Sequence, residues 1–148
     1  MSAAQARLLS SMEESAALAR EALGRAPTGS LLLLTGPLGA GKPTFTRLLG
    51  HELGSSAAIT SPTYTLVHEY PTPAGPLIHI DAYRLPNAAA LTGLGLDDYL
   101  DRARLVVVEW GLPLKELYPQ ALVLEFALEA VGENEVRRSA RWLDGGAP

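Results

Sequence analysis

Cysteine is absent from this 148-residue sequence, which excludes disulfide bonds, thiolate-ligated zinc and a cysteine nucleophile. Long apolar runs are also missing, since the longest compact one is Leu31 to Leu34 and a membrane-spanning helix needs about 18 residues. Residues Met1 to Ser15 contain no continuous apolar stretch, so we expect no secretory signal. Together these absences predict a soluble cytoplasmic protein, without a membrane partner.

Basic residues are scarce, because 12 lysines and arginines face 16 acidic residues and the net charge is −4. A protein that grips nucleic acid unaided normally carries a basic patch, so we expect no direct nucleic-acid binding. Only two of the basic residues are lysines, Lys42 and Lys115. The position of Lys42 therefore needs an explanation.

The sequence does contain enough apolar material for one core, since 47% of its residues are hydrophobic, and we expect a single domain over residues 1–148. Ser11 to Glu14 has the S-x-x-E spacing of a capping box, which predicts a helix over 11–24. The wholly apolar run Leu31 to Leu34 predicts a strand buried on both faces. A glycine-rich turn separates it from a predicted helix over Thr44 to Leu53.

The second half of the sequence is richer in strand signals. Alternating β-favouring residues, Pro/Gly-rich turns and short apolar runs indicate a hairpin, a further buried strand and a C-terminal antiparallel pair. The predicted elements are hairpin strands at Tyr64 to Tyr70 and Leu77 to Ile80, one or two short helices within Asn87 to Leu100, a strand at Leu105 to Val108, and paired strands at Leu122 to Leu128 and Val136 to Trp142.

The turn after the first strand carries the most specific motif. Gly36 to Lys42 reads G-x-x-x-x-G-K between a buried strand and a helix start, which is the context of a P-loop. Small residues let backbone N–H groups point at phosphate oxygens, and the lysine ammonium reaches the β- and γ-phosphates. The alternative is a glycine-rich turn with a solvated lysine, which the flanking elements disfavour.

The position after the P-loop lysine departs from the pattern. A Ser or Thr hydroxyl normally binds magnesium there, whereas this chain has Pro43, which lacks both a hydroxyl and an N–H. Proline also biases Lys42 away from the helical conformation. Thr44 is a poor substitute, because one helical step turns a side chain by about 100°. The sequence leaves open a weakened ATPase or an altered path of the loop.

Two strand-end carboxylates are candidates for the acidic partner of a P-loop. Asp81 follows Ile78 to Ile80, and Glu109 follows Val106 to Val108. At the carboxyl edge of a parallel sheet such groups can meet magnesium or its water shell. Each could instead cap the next helix.

Other polar residues carry weaker signals. Ser61 to Thr65 is hydroxyl-rich, and on its own it favours a plain Ser-Pro turn over a nucleotide-sensing loop. The three histidines lack metal-ligand spacing, and His79, on an apolar strand, is expected to be a hydrogen-bonded core residue. The C-terminal arginines are expected to form a solvated face. They are Arg137, Arg138 and Arg141.

Four motif blocks in order, Gly36 to Phe45, Ser61 to Tyr70, His79 to Leu85 and Val108 to Trp110, resemble the TsaE family, formerly YjeE. The resemblance implies a P-loop NTPase-like α/β fold and weak ATP hydrolysis with Mg²⁺. It also implies work in a complex with TsaB and TsaD, which places a threonylcarbamoyl group on the anticodon-adjacent adenosine of tRNA. The tRNA would be reached through that complex.

The resemblance also implies roles for particular residues. Lys42, Asp81 and Glu109 would be the catalytic residues, with Asp81 beside the γ-phosphate or attacking water, and Glu109 and Asp81 would hold magnesium. Ser61 to Thr65 would be a switch-like loop, in place of the plain turn. ATP or ADP would be cradled by Leu38, Gly39, Ala40, Gly41, Lys42, Pro43 and Thr44 together with the two carboxylates. Pro37 and Pro43 stand where the family commonly has Asp and the magnesium-binding Thr.

Three functions follow as alternatives. The leading prediction is an ATP-hydrolysing accessory protein of tRNA threonylcarbamoylation. The second is a nucleotide-binding module that has lost hydrolysis because of Pro43. The third is a small-molecule kinase, because a P-loop alone permits phosphoryl transfer. The predicted fold is α/β with a mixed central sheet, flanking helices and a C-terminal antiparallel strand pair.

Overall fold

The computed structural model describes residues 6–55, 67–82 and 95–143. Within these residues the chain forms strands and helices in an alternating α/β order. The strands are β1 (Arg7–Leu8), β2 (Ser30–Thr35), β3 (Val67–Tyr70), β4 (Leu77–Asp81), β5 (Leu105–Glu109), β6 (Leu122–Ala130) and β7 (Val136–Trp142). The helices are α1 (Met12–Arg25), α2 (Lys42–Glu52), α3 (Leu96–Arg102) and a 3₁₀ helix (Leu112–Glu116).

All of these strands join one mixed sheet in the order β1-β7-β6-β2-β5-β4-β3. The four central strands β6, β2, β5 and β4 run parallel, while β3, β7 and β1 pair antiparallel at the edges. This confirms the predicted mixed sheet and the C-terminal antiparallel pair. At the carboxyl edge, Glu109 is in register with both Leu34 and Asp81.

Helices cover both faces of the sheet, as predicted. On one face α1 and α2 pack with residues such as Leu18 and Phe45 against Leu32, Leu34 and Val107. On the other face, α3 and the 3₁₀ helix contribute the residues that cover a second core cluster. Since β2 and β5 are buried on both sides, their sequences are unbroken apolar runs rather than alternating ones.

The first helix has the capping predicted for it. The Ser11 hydroxyl accepts a hydrogen bond from the Glu14 backbone N–H at 3.1 Å, and the Glu14 carboxylate accepts one from the Ser10 N–H at 2.9 Å. Two backbone N–H groups that have no carbonyl partner within the helix thus donate to side-chain oxygens. Among the described residues, every helix falls short of the length and apolar character that a membrane span requires.

The start of the second helix differs from the prediction. α2 begins at Lys42, not Thr44, so the expectation that Pro43 would keep Lys42 out of the helix is wrong. Proline lies in the first turn, where backbone N–H groups have no partner within the helix. The first bond of the helix runs from the Phe45 N–H to the Gly41 carbonyl at 3.0 Å.

Some predicted segments lie outside the described residues. These are Ser61 to Thr65, the start of the predicted hairpin strand at Tyr64 to Leu66, and most of the helical region that begins at Asn87. The described remainder of the hairpin pairs as predicted, with Val67 opposite Ile80. The described end of the helical region is α3, with Asp97 and Asp98 in its first turn.

Candidate nucleotide-binding site

The glycine-rich loop leaves the end of β2 and turns directly into α2. Gly36 has φ +128°, and a Cβ at this position would lie 2.3 Å from the backbone oxygen of Phe126. Only glycine fits where the loop crosses β6 so closely. Gly41, with φ +109°, is the N-cap of α2. The loop therefore wraps the helix N-terminus, the arrangement that presents backbone N–H groups and a positive dipole to an anion.

Lys42 is buried at the first position of α2, with 1% of its surface exposed. Its Nζ donates a hydrogen bond to the Gly36 carbonyl and lies 3.8 Å from the centroid of the Trp110 ring. Burial lowers the pKa of Lys42 below its usual value, and the charges of Glu109 and Asp81 partly oppose that shift. This lysine is therefore held behind the loop, and the alternative of a solvated lysine is excluded.

The two strand-end carboxylates lie side by side. Asp81 and Glu109 are register partners in the parallel pair β4–β5. Val107, two residues before Glu109, belongs to the core cluster beneath α1 and α2. Because side chains alternate along a strand, Glu109 and Asp81 share that face, on which Lys42 also lies. From this face the charges of both carboxylates raise the pKa of Lys42, against the effect of burial.

His79 contacts the Glu109 carboxylate. Its Nε2 lies 2.5 Å from Glu109 Oε2, and both side chains are almost fully buried. The prediction of a hydrogen-bonded core histidine is therefore confirmed. Its partner Glu109 could not be predicted from the sequence, because that contact depends on the register between β4 and β5.

Trp110 has an unusual backbone conformation at the end of β5. Its φ of +62° is the one positive value for a non-glycine residue among the described residues. Holding a bulky residue there costs about 1 to 3 kcal/mol. The backbone N–H groups of Trp110 and Gly111 both approach the Leu34 carbonyl, at 2.9 and 3.4 Å. This tight turn sets the indole against Lys42 Nζ.

Arg138, an exposed residue of β7, contacts the glycine-rich loop. Its Nε donates to the Gly39 carbonyl at 2.8 Å, which ties β7 to the glycine-rich loop. The neighbouring arginines match the prediction of surface residues: Arg137 pairs with Glu129 and Arg141 with Glu125. Arg138 is exposed as well, as predicted, but its bond to the loop was not predicted.

A cleft of about 460 Å³ opens beside the loop. The start of α1 forms one wall and the loop with the start of α2 forms the other. The lining residues are Leu9, Ser10, Ser11, Met12, Ser15, Gly39, Ala40, Gly41, Pro43, Thr44 and Arg138. Leu38, at the tip of the loop, is exposed. The predicted loop residues thus lie together at one edge of the sheet.

The donor set near the loop suits magnesium better than a softer metal. Asp81 and Glu109 offer two adjacent carboxylates, and Mg²⁺ binds through one or two carboxylates plus substrate phosphates. Across residues 6–55, 67–82 and 95–143, no group of three or more His, Cys, Asp or Glu side chains could hold a metal ion. Pro43 adds no hydroxyl, and the Thr44 hydroxyl accepts from Arg47 at 3.1 Å.

Comparisons with known proteins agree with the resemblance. The family model "Threonylcarbamoyl adenosine biosynthesis protein TsaE" matches residues 9–140. The tRNA threonylcarbamoyladenosine biosynthesis protein TsaE of Bacillus subtilis is 37% identical over 123 residues, which cover 83% of this chain and 76% of that protein. Its counterpart from Streptomyces coelicolor is 45% identical over 86 residues, covering 56% of this chain and 57% of that protein.

A solved structure also matches. The crystal structure of Bacillus subtilis YdiB superposes with a TM-score of 0.65 at 31% sequence identity, covering 96% of this chain and 86% of that one. The similarity thus extends well beyond the motif blocks, and it confirms the predicted P-loop α/β fold.

Proposed function

The chain belongs to the TsaE family and is involved in tRNA threonylcarbamoyladenosine biosynthesis, and on that premise we propose that it is an ATPase acting with TsaB and TsaD. The observation that supports this most strongly is the position of Lys42. It is buried behind a glycine-rich loop, at a helix N-terminus, with Asp81 and Glu109 on its face of the sheet. Membership of the family gives the pathway, and the proposal adds a reaction, ATP hydrolysis, and two protein partners.

In this proposal the glycine-rich loop and Lys42 bind the phosphates. Backbone N–H groups at the start of α2 point toward the phosphates, and the helix dipole favours their charge. Lys42 Nζ leaves the Gly36 carbonyl and the Trp110 ring for the β- and γ-phosphate oxygens, a stronger charge-assisted interaction. The cleft beside the loop is the proposed site for the rest of the nucleotide.

The carboxylates supply the other half of the chemistry. Glu109 and Asp81 are the residues that would hold magnesium, which neutralises charge on the phosphates when it is bound. Asp81 also orients the attacking water toward the γ-phosphate. We assign this hydrolysis a weak rate, because Pro43 lacks the hydroxyl and the N–H that the position normally supplies.

Partners carry the reaction to tRNA in this proposal. The net charge of −4 disfavours a direct grip on tRNA, so the chain acts through a protein complex. TsaD performs the transfer, TsaB completes the complex, and ATP hydrolysis by this chain supports repeated turnover. The compartment proposed is the cytoplasm, where tRNA is modified.

The proposal is tested by multiple-turnover modification of tRNA with purified TsaB and TsaD. We expect this chain to raise the number of modified tRNA molecules per TsaD above one, in an ATP-dependent manner. Glu109→Gln should abolish that gain. Glu133→Gln removes the same charge from the exposed turn between β6 and β7, and it should leave the gain unchanged. If each TsaD modifies only one tRNA molecule both with and without this chain, the proposal is rejected.

A second candidate is a nucleotide-binding module without hydrolysis, which Pro43 favours. In that case ADP and ATP would bind, and the complex would respond to binding alone. A slowly hydrolysed ATP analogue separates the two. It should fail to support repeated turnover if hydrolysis is needed, and it should support turnover fully if binding is enough.

A further inference from the structure

His79 has a hydrogen-bonding pattern that packing alone does not require. It is fully buried at the centre of β4, and Nε2 lies 2.5 Å from Glu109 Oε2. The other ring nitrogen, Nδ1, is buried and has no hydrogen-bond partner in the described residues. An unpaired buried polar atom costs about 1 to 3 kcal/mol. An apolar residue would avoid that cost.

The arrangement places a ring proton on Nε2. An ionised Glu109 carboxylate can only accept hydrogen bonds, so Nε2 must carry the ring proton and donate it. Nδ1 is buried and accepts no hydrogen bond from the described residues. The bond occupies Oε2 of Glu109 and leaves Oε1 for other partners. It therefore restricts the rotation of the carboxylate beside Asp81 and Lys42.

We infer that His79 is a positioning residue for the reaction, which holds the Glu109 carboxylate in its working orientation through Nε2–H. The inference rests on the proposed ATPase function. Carboxylates that act on a metal or a phosphate commonly need such a supporting donor, and its loss typically costs 10- to 100-fold in metal affinity or activity. His79 supplies that donor from the neighbouring strand, two residues before Asp81.

The test compares two replacements of the ring with a control on the same strand. His79→Phe keeps an aromatic ring and removes the donor, whereas His79→Gln places an amide N–H near the position of Nε2. Leu77→Val is the control, because it trims a fully buried residue at the other end of β4. Unfolding midpoints of all variants are measured first, so that effects of stability are known.

Two quantities are measured. The first is the kinetics of ATP hydrolysis, and the second is manganese(II) binding in the presence of ADP, which is monitored by electron paramagnetic resonance. For His79→Phe we expect kcat to fall and the manganese dissociation constant to rise, each about tenfold, with KM for ATP changed less than threefold. His79→Gln should recover most of both losses. Unchanged kcat and manganese affinity in His79→Phe, or equal losses in Leu77→Val, would overturn the inference.

A measurement on the resting protein separates this inference from the proposed function. Long-range ¹⁵N–¹H spectra of the imidazole should show a protonated Nε2, and the Nε2 signal should move in Glu109→Gln. An Nε2 without a proton would refute the contact. If wild type binds manganese and ADP without hydrolysing ATP, the ATPase proposal fails, while the spectra and the binding data still decide the role of His79.

Discussion

Pro43 offers the sharpest perturbation of the loop, because proline removes two chemical groups that can be restored separately. Pro43→Ala restores the backbone N–H alone, and Pro43→Thr restores the N–H and the hydroxyl. The helix does not use an N–H here, since its first bond runs from Phe45 to Gly41. A restored N–H is therefore available to a phosphate at the helix N-terminus.

The expected magnitudes follow from the chemistry of each group. A hydrogen bond to a charged acceptor contributes about 1.5 to 3 kcal/mol, which is about 10- to 100-fold in affinity. Pro43→Ala should therefore bind ADP about 10- to 100-fold more tightly than wild type, with or without magnesium. Pro43→Thr should gain as much without magnesium and should gain further, together with a higher kcat, only when magnesium is present.

Calorimetric titration with ADP, in magnesium and in EDTA, checks both steps. Pro119→Ala is the control for loss of a proline, because its neighbours Tyr118 and Gln120 lie by the start of β2, at the opposite end from the loop. Equal ADP affinity in wild type and Pro43→Ala would refute the argument about the N–H. A gain in Pro43→Thr that does not depend on magnesium would refute the argument about the hydroxyl.

Three further predictions concern the groups around the loop. The Lys42 pKa, read from its side-chain ¹³C–¹H signals, should lie below 10.5 in the folded chain and fall further in Asp81→Asn, because the Asp81 charge raises it. As pH rises, the folded chain releases this proton before the unfolded chain does. The free energy of unfolding should therefore rise with pH between the lowered pKa and 10.5. A Lys42 pKa at its usual value would contradict the burial argument. Gly36→Ala should lower the free energy of unfolding by about 3 kcal/mol in urea denaturation, because its Cβ would meet the Phe126 carbonyl, while Gly39→Ala, with no atom within 4 Å, should lower it by about 1 kcal/mol; equal losses would count against the packing argument. Arg138→Ala should weaken ADP binding severalfold, because it removes the hydrogen bond that ties the Gly39 carbonyl of the loop to β7. Arg137→Ala, which removes an arginine paired with Glu129, should leave ADP binding unchanged. Equal effects of the two variants would show that only the charge matters.

Much of the fold could be predicted because its signals are local. The apolar runs of β2 and β5, the capping box of α1 and the glycine-rich turn each occupy a few consecutive residues. The edge strand β1 escaped prediction, because two residues carry no periodicity and their pairing with Ala140 and Ser139 depends on the other end of the chain.

The site could be predicted in its parts but not in its contacts. The P-loop pattern indicated Lys42, and strand ends indicated Asp81 and Glu109. The bond from His79 to Glu109 and the bond from Arg138 to Gly39 join residues 30 and 99 positions apart. Such contacts depend on strand register and on which distant segments the fold brings together, and no short stretch of sequence encodes either.

The position of α2 illustrates how context overrides a local rule. Proline disfavours a helical residue before it, yet α2 starts at Lys42. The glycine loop and the packing of Phe45 on Phe126, with ring centroids 5.5 Å apart, hold the first turn in place. Tertiary packing therefore outweighs the preference of the Lys42–Pro43 pair.

The most direct test of the central claim is a fluorescence titration of Trp110 with ATP, in a Trp142→Phe background that leaves one indole. We predict a saturable change in emission as Lys42 Nζ leaves the ring, which lies 3.8 Å away in the resting protein. Magnesium should shift the midpoint, and Asp81→Asn should remove that shift. No change in emission up to millimolar ATP, together with no heat of binding, would contradict a nucleotide site at this loop.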